Sequence, residues 1–214
     1  MDYKAIIFDL DGTLVNSAQV WIDIDVEYEK KYNLVIPDDY MDRIKAMGFS
    51  QLAVYYAEEL GVPLSPDEIK AEWYSMADDK YRHEIQLLPN AYEFIHSQHS
   101  KGVRMCIATA NNRELTEAAL TRLGVMECME FVINCDEVGC GKDSPQIYLE
   151  AAKRMGADPS DTIVFEDIPS GIISAKNGGF DTCAVCASQF SEETEILQRE
   201  ATMYICGYEE LLQR

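Results

Sequence analysis

The chain has 214 residues, of which 47% are hydrophobic and 26% are charged. This composition is typical of globular proteins and excludes the charge-rich, apolar-poor class of disordered chains. Asp and Glu number 38 against 18 Lys and Arg, which gives a formal net charge of -20. Because this charge repels the phosphates of nucleic acids and the headgroups of anionic lipids, we expect neither a nucleic-acid partner nor a membrane partner.

The N-terminal segment, MDYKAIIFDLDGT, contains an apolar run that is short and soon interrupted by aspartates. Such a run is typical of neither a signal peptide nor a membrane span, so we expect a cytoplasmic protein. Seven cysteines are scattered mostly among apolar neighbours, which favours reduced core thiols over a disulfide framework. One CxxC, Cys183 to Cys186, lies in a strand-like run, so a zinc or redox role is the weaker interpretation.

Short apolar runs that are typical of buried strands recur along the chain, most of them a helix length apart. They are KAIIFDL (4–10), VRMCIAT (103–109), FVINC (131–135), TIVFED (162–167), TCAVC (182–186) and TMYIC (202–206). The stretches 112–123, 145–156 and 169–178 carry apolar residues at helical spacing and end near glycines. This alternation predicts an α/β fold, a Rossmann-like doubly wound parallel sheet with helices on both faces.

The region of residues 15–85 interrupts this alternation. It contains amphipathic helical stretches punctuated by proline and glycine, and it contains no convincing strand. It follows the first strand almost directly, and the alternation of strands and helices resumes near Pro89. We therefore expect a helical cap domain over residues 15–85, inserted into a Rossmann-like core that comprises residues 1–14 and 86–214.

The first predicted strand ends in two aspartates, Asp9 and Asp11, and Gly12 then permits a tight turn. Two carboxylates this close repel each other unless a cation compensates their charge, so the pair favours a metal site. If this spacing stood alone, a solvated turn rich in aspartate would be the better interpretation.

Three later segments bring further polar side chains to the same edge of the predicted sheet. Thr109 ends one strand, Glu166 and Asp167 end another, and Lys142 lies in a loop ahead of a helix. Because the carboxyl ends of parallel strands share one edge, we expect a hydroxyl, an ammonium group and four carboxylates to converge on one site. No set of histidine or cysteine ligands accompanies them, and a site made only of oxygen ligands favours Mg²⁺.

Four segments together resemble the motifs of the haloacid dehalogenase superfamily. They are DLDGT (9–13), CIATANN (106–112), GKDSPQ (141–146) and IVFEDIPSG (163–171). The resemblance covers essentially the whole chain and places it in the branch of β-phosphoglucomutases and phosphoglycolate phosphatases, whose helical cap follows the first motif. It implies a magnesium-dependent enzyme that takes a phosphoryl group from a small phosphorylated metabolite.

The resemblance also implies the catalytic roles of the first motif. Asp9 would be the nucleophile that becomes an aspartyl phosphate, and Asp11 would be the general acid and base. The dehalogenases that gave the superfamily its name lack the second aspartate, since a halide leaves without a proton. Asp11 therefore argues against dehalogenation and favours phosphoryl transfer.

The other motifs would hold the phosphate and the metal. Thr109 would hydrogen-bond the phosphoryl oxygens with help from the backbone N–H groups of Ala110 and Asn111, and Lys142 would neutralise their charge. The third motif commonly reads GKPxPD, so the flanks of Lys142 differ from the usual pattern although the lysine is kept. The implied magnesium ligands are the Asp9 carboxylate, the Asp11 carbonyl and Asp167, with Glu166 at or just beyond the coordination sphere.

In relatives, a loop between cap helices faces the active site and helps to select the substrate. In this chain the corresponding residues are Gly48, Phe49, Ser50 and Gln51. β-Phosphoglucomutases carry an arginine at the position of Gln51 and a histidine near that of Trp21, and this chain has neither. We therefore expect a phosphatase, with a phosphomutase as the alternative if Arg43, Lys45 or His83 supplies the missing charge. Nothing in the sequence demands more than one copy of the chain, so we expect a monomer.

Two further interpretations concern the cap aromatics and the activity itself. Aromatic side chains on amphipathic helices are more often core than pocket, which applies to Trp21, Tyr28, Tyr55, Tyr56, Trp73 and Tyr74. A catalytically inactive scaffold that keeps the fold is the other class of hypothesis. Such a scaffold should have lost a charged motif residue, and this chain retains all of them, so activity is favoured.

Overall fold

The computed structural model describes residues 3–44, 47–186 and 191–212. In these residues, six strands form one parallel sheet with the order β3-β2-β1-β4-β5-β6. The strands are β1 (Ala5–Phe8), β2 (Arg104–Thr109), β3 (Val132–Asn134), β4 (Thr162–Glu166), β5 (Asp181–Val185) and β6 (Met203–Ile205). The predicted α/β fold with a doubly wound parallel sheet is confirmed.

Helices connect the strands and cover both faces of the sheet. Before β2 they are α1 (Ala18–Tyr32), α2 (Tyr40–Ile44), α3 (Phe49–Glu58), α4 (Pro66–Asp79), a π-helix (Lys80–Glu84) and α5 (Ala91–Ser100). After β2 they are α6 (Arg113–Arg122), α7 (Cys135–Val138), α8 (Gln146–Met155), α9 (Pro169–Asn177), α10 (Ser191–Glu200) and α11 (Glu209–Leu212). Among the described residues, no helix is both long enough and apolar enough to cross a membrane.

Strand β1 lies in the middle of the sheet, and its side chains are buried on both faces. Ile6 and Phe8 pack into the apolar layer that contains residues of α5 and α6, while Ala5 and Ile7 pack into the layer that contains residues of α8. A central strand covered on both faces needs a continuous apolar run, which explains why the sequence shows no polar alternation here.

The connections of the sheet create a crevice at the carboxyl end of β1. The chain runs from β1 to β2 and β3 on one side, and then crosses to β4 on the other side of β1. Ligands of such sheets bind where the strand order reverses, outside the carboxyl ends of the strands. Asp9 follows β1 at this point, and its N–H donates a 2.9 Å hydrogen bond to the carbonyl of Phe165 in β4.

Between residues 15 and 85, the described residues are helical apart from loops and isolated bridges at Val15. Tyr28, Tyr56 and Trp73 pack against one another, and the ring centroids of Tyr56 and Trp73 are 4.9 Å apart. Their side chains are buried, as expected for core residues, whereas Trp21 is only partly buried. The cap boundaries at residues 15 and 85 stay a prediction.

Candidate active site

The crevice between β1 and β4 brings together three carboxylates and one lysine. Oxygen atoms of Asp9, Glu166 and Asp167 lie within 4.8 Å of one another. Lys142, from the loop before α8, donates hydrogen bonds to both Asp9 Oδ1 and Glu166 Oε1. The sequence predicted this convergence because each residue ends a strand, follows one or precedes a helix at the same edge of a parallel sheet.

The charges in this cluster do not balance. Burial raises the pKa of the Asp9 carboxyl to about 7, although Lys142 lowers it. Burial and repulsion by Asp9 and Glu166 raise the pKa of Asp167 well above its usual value. Burial opposes the charge of Lys142, but Asp9 and Glu166 raise its pKa above the usual range. An excess of negative charge around one ammonium group favours a further cation at this site.

The oxygen donors of this cluster fit Mg²⁺. The hydrogen bonds of Glu166 indicate which of the three carboxylates are available to a metal. Glu166 Oε1 accepts from Lys142 and, at 2.8 Å, from Tyr148, while Oε2 accepts the N–H groups of Asp167 and Ile168 at 3.1 and 3.4 Å. These four bonds occupy the acceptor positions of Glu166. Asp9 and Asp167 would therefore be the better direct ligands, and their carboxylates are the hard oxygen donors that Mg²⁺ prefers.

Glycine makes room for Glu166 at the start of α9. A Cβ atom at Gly171 would lie 2.6 Å from Cδ of Glu166, closer than carbon atoms can pack. Any larger residue at position 171 would therefore displace this carboxylate and the lysine that it binds. The segment IVFEDIPSG thus encodes both the carboxylates and the space that one of them occupies.

The Asp11 side chain is bound by residues other than this cluster. Its Oδ1 accepts hydrogen bonds from the Ser17 hydroxyl at 2.5 Å and from the Tyr81 hydroxyl. Its Oδ2 accepts a 2.9 Å hydrogen bond from Asn111 Nδ2. Asp9 and Asp11, two residues apart, therefore have separate sets of partners. This division allows one aspartate to react while the other exchanges protons.

The turn after β2 carries the residues that the sequence assigned to phosphate binding. The buried Thr109 Oγ1 accepts the N–H of Asn111 at 3.0 Å, which leaves the hydroxyl hydrogen for another acceptor. The carbonyl of Ala110 accepts the N–H of Phe49 at 3.2 Å. Because the Asn111 amide and N–H already have partners in this structure, phosphate binding by Asn111 stays a prediction.

The predicted substrate loop packs on the core, and its four residues have different environments. The Ser50 hydroxyl and N–H donate to the Asp136 carboxylate at 2.8 and 3.2 Å. Gln51 Oε1 accepts the Gly48 N–H at 2.9 Å, so this side chain caps its own helix. A cavity lies between the sheet and residues 15–85, which we call the helical segment. Of the four loop residues, Phe49 alone lines this cavity.

This cavity has a volume of about 180 Å³. Its lining comprises Asp11, Trp21, Met47, Phe49, Leu52, Ala110 and Asn111. Apolar side chains form most of the wall, and the lining residues that the structure describes include no lysine, arginine or histidine. The described residues therefore present a mostly apolar wall beside Asp11.

Several residues that contact the site lie outside the sequence motifs. Tyr148, which binds Glu166, lies on α8 and matches only the apolar spacing of that helix. Ser17, which directly precedes α1, and Tyr81, in the π-helix, both bind Asp11. Asp136, which anchors Ser50, lies in the acidic first turn of a short helix. The apolar periodicity gave no reason to select any of these residues.

Comparison with known proteins identifies the family of this chain. A model of the haloacid dehalogenase-like hydrolase family matches residues 3–179. A bifunctional riboflavin kinase/FMN phosphatase of Arabidopsis thaliana is 33% identical over 185 residues, which are 85% of this chain and 48% of that protein. A validoxylamine A 7'-phosphate phosphatase of Streptomyces hygroscopicus subsp. limoneus is 28% identical over 207 residues, covering 94% of this chain and 95% of that protein.

This chain thus spans about half the length of the first relative and nearly all of the second. Among solved structures, CbbY from Rhodobacter sphaeroides in complex with xylulose-(1,5)bisphosphate has the same fold, with a TM-score of 0.82 at 21% identity. The similarity covers 98% of this chain and 96% of that one. The resemblance found in the sequence is confirmed, and the chain belongs to the haloacid dehalogenase-like hydrolase family.

Proposed function

We propose that this protein is a magnesium-dependent phosphatase that hydrolyses a small phosphorylated metabolite through an aspartyl phosphate on Asp9. The observation that carries the proposal is the cluster of Asp9, Glu166 and Asp167 around Lys142, with Asp11 beside it and bound separately. The relatives support it, because both of those named above are phosphatases by name. Residues 15–85 would form the cap that covers this site.

The reaction has two steps on the residues of this chain. The Asp9 carboxylate attacks the phosphorus, the bond to the leaving oxygen breaks, and Asp11 gives that oxygen a proton. Asp11 then takes a proton from water, which attacks the aspartyl phosphate and releases inorganic phosphate. Mg²⁺ held by Asp9, Asp167 and the Asp11 carbonyl would supply positive charge for the phosphoryl oxygens. Lys142 compensates Asp9 and Glu166 throughout.

Hydrolysis is favoured over the mutase reaction because a mutase must hold a second phosphate opposite the nucleophile. Arg43 is bound to Asp39 at 2.8 Å, and His83 is bound to Asp79 at 2.9 Å. Neither side chain lines the cavity between the helical segment and the sheet. Lys45, the third basic residue considered, lies outside the described residues. The described wall therefore lacks a cation that would hold a second phosphate, which favours water over a sugar hydroxyl as the acceptor of the phosphoryl group.

Product analysis separates these two reactions. With β-glucose 1-phosphate as substrate and a trace of β-glucose 1,6-bisphosphate, any turnover should yield free glucose and inorganic phosphate. We expect this result because the lining residues that the structure describes give a second phosphate no lysine, arginine or histidine to bind. Glucose 6-phosphate that accumulates faster than inorganic phosphate would instead identify a mutase.

Removal of the metal should abolish activity. Exhaustive chelation should stop the release of phosphate from p-nitrophenyl phosphate, and added Mg²⁺ should restore it, because the cluster then regains a compensating charge. A readout independent of turnover is thermal unfolding. Mg²⁺ together with a metal fluoride that mimics phosphate should raise the melting temperature more than either alone. Full activity in the chelated protein would refute the metal assignment.

A further inference from the structure

Tyr81 lies in the π-helix at the end of the helical segment, and its side chain is completely buried. Its hydroxyl is within 2.8 Å of both Trp21 Nε1 and Asn111 Nδ2, and it also bonds Asp11 Oδ1. Indole and amide nitrogens donate hydrogen bonds and cannot accept them. The single hydrogen of the Tyr81 hydroxyl must therefore point at Asp11, and both remaining lone pairs are in use.

The same accounting distinguishes the two oxygens of Asp11. Each carboxylate oxygen has two acceptor positions. Ser17 and Tyr81 occupy both positions of Oδ1, whereas Asn111 occupies one position of Oδ2. Among the described residues, Oδ2 thus has the one acceptor position that remains, and Asp11 lines the cavity. The oxygen available to a leaving group or a water molecule is therefore Oδ2.

The position of Tyr81 is fixed from both sides of the crevice. Arg122, at the end of α6, donates to the carbonyls of Tyr81 and Ile85 at 3.3 and 2.5 Å. The N–H of Ile85 bonds the carbonyl of Lys80 at 3.0 Å, five residues back, as in a π-helix. Trp21 holds the hydroxyl from α1. The π-helix is therefore held by α6, which follows β2, and by α1 of the helical segment.

We propose that Tyr81 is a positioning residue for proton transfer at Asp11, an inference that rests on the proposed phosphatase function. Its hydroxyl and that of Ser17 saturate Oδ1, so that Oδ2 gives its proton to the leaving oxygen and later takes one from water. Tyr81 itself keeps its proton throughout. Because this hydroxyl belongs to the helical segment, Asp11 is correctly oriented only while that segment is docked on the sheet.

The test compares two substrates of similar size whose leaving groups differ in their need for a proton. Benzyl phosphate releases an unstable alkoxide unless the leaving oxygen receives a proton, whereas p-nitrophenyl phosphate releases a stable phenolate. The ratio kcat/KM reports on steps up to the formation of the aspartyl phosphate. For Tyr81→Phe, we expect kcat/KM to fall about 10- to 100-fold with benzyl phosphate and less than about threefold with p-nitrophenyl phosphate.

Three further variants make this comparison specific. Tyr56→Phe removes another buried hydroxyl of the helical segment, one that bonds Asp25 at 2.7 Å, and should leave both substrates near wild type. Ser17→Ala removes the other donor to Oδ1 and should reproduce the pattern of Tyr81→Phe, which keeps the test decisive if Tyr81→Phe unfolds. In an Asp11→Asn background, adding Tyr81→Phe should change kcat/KM less than about threefold, because the two residues act together.

Equal losses on the two substrates in both Tyr81→Phe and Ser17→Ala would overturn the role of Tyr81. The role would also be overturned if the losses of kcat/KM caused by Tyr81→Phe and by Asp11→Asn multiplied in the double variant. Asp9→Asn is assayed beside them. Turnover that survives in Asp9→Asn, or a wild type that releases phosphate from neither substrate, would refute the proposed function itself rather than the role of Tyr81 alone.

Discussion

Asp9→Asn should reduce the release of phosphate by about a thousandfold or more while leaving the fold intact. An amide cannot attack phosphorus as a carboxylate does, and Asp11, the other carboxylate near the end of β1, is bound to Ser17, Tyr81 and Asn111. Asparagine has nearly the same shape, and Lys142 keeps Glu166 as its partner. Position 9 therefore loses its nucleophilic oxygen but retains a polar group of the same size.

The measurement is phosphate release from p-nitrophenyl phosphate with Mg²⁺, together with thermal unfolding of the same preparation. Asp23→Asn is a matched control, because Asp23 is exposed on α1 and bonds only Gln19 among the contacts described. It should behave as wild type. A folded Asp9→Asn protein with activity near that of wild type would mean that the nucleophile is another residue.

Lys142→Met should both destabilise the fold and remove activity. The Lys142 side chain is 3% exposed, and those of its partners Asp9 and Glu166 are 5% and 0% exposed. Removing the ammonium leaves two buried carboxyls without a cation, and loss of one partner from such a pair costs about 3–5 kcal/mol. The phosphate dianion would also meet an uncompensated Asp9, so turnover should fall even where the protein is folded.

Urea unfolding of Lys142→Met in chelator and in Mg²⁺ measures this effect. The loss of unfolding free energy should be smaller with Mg²⁺, because the bound cation replaces part of the missing charge. Lys153→Met is the control, since that side chain is 79% exposed, and it should unfold as wild type. Unchanged stability of Lys142→Met in chelator would show that the lysine does not compensate these carboxyls.

The fold and the core of the site follow from short-range patterns in the sequence. The run from Ala5 to Phe8 is apolar at every position because β1 is covered on both faces, and this pattern suffices to predict a central strand. Once the sheet is parallel, the carboxyl ends of β1 and β4 must share an edge. Asp9 and Asp167 therefore converge without any knowledge of the intervening chain.

The contacts of the helical segment could not be predicted, because they depend on how it docks on the sheet. Gln51 was expected to help select the substrate, which stays a prediction, and the contact by which its amide oxygen caps the N-terminus of α3 has no signal in the motifs. The side-chain amide of Asn111 donates to Asp11 and to the Tyr81 hydroxyl, and no motif in the sequence indicates these contacts. Tyr81 occupies a helical position with no motif around it, and local periodicity cannot encode a hydrogen bond across 70 residues.

The most direct test of the proposed mechanism is to trap the phosphorylated residue. The protein is mixed with substrate and Mg²⁺, quenched in acid during turnover and reduced with borohydride, which converts an aspartyl phosphate to homoserine. Peptide mapping should then find homoserine at position 9 and at no other aspartate, and none in Asp9→Asn. Turnover accompanied by homoserine at another position, or by unmodified Asp9 at every quench time, would contradict the mechanism.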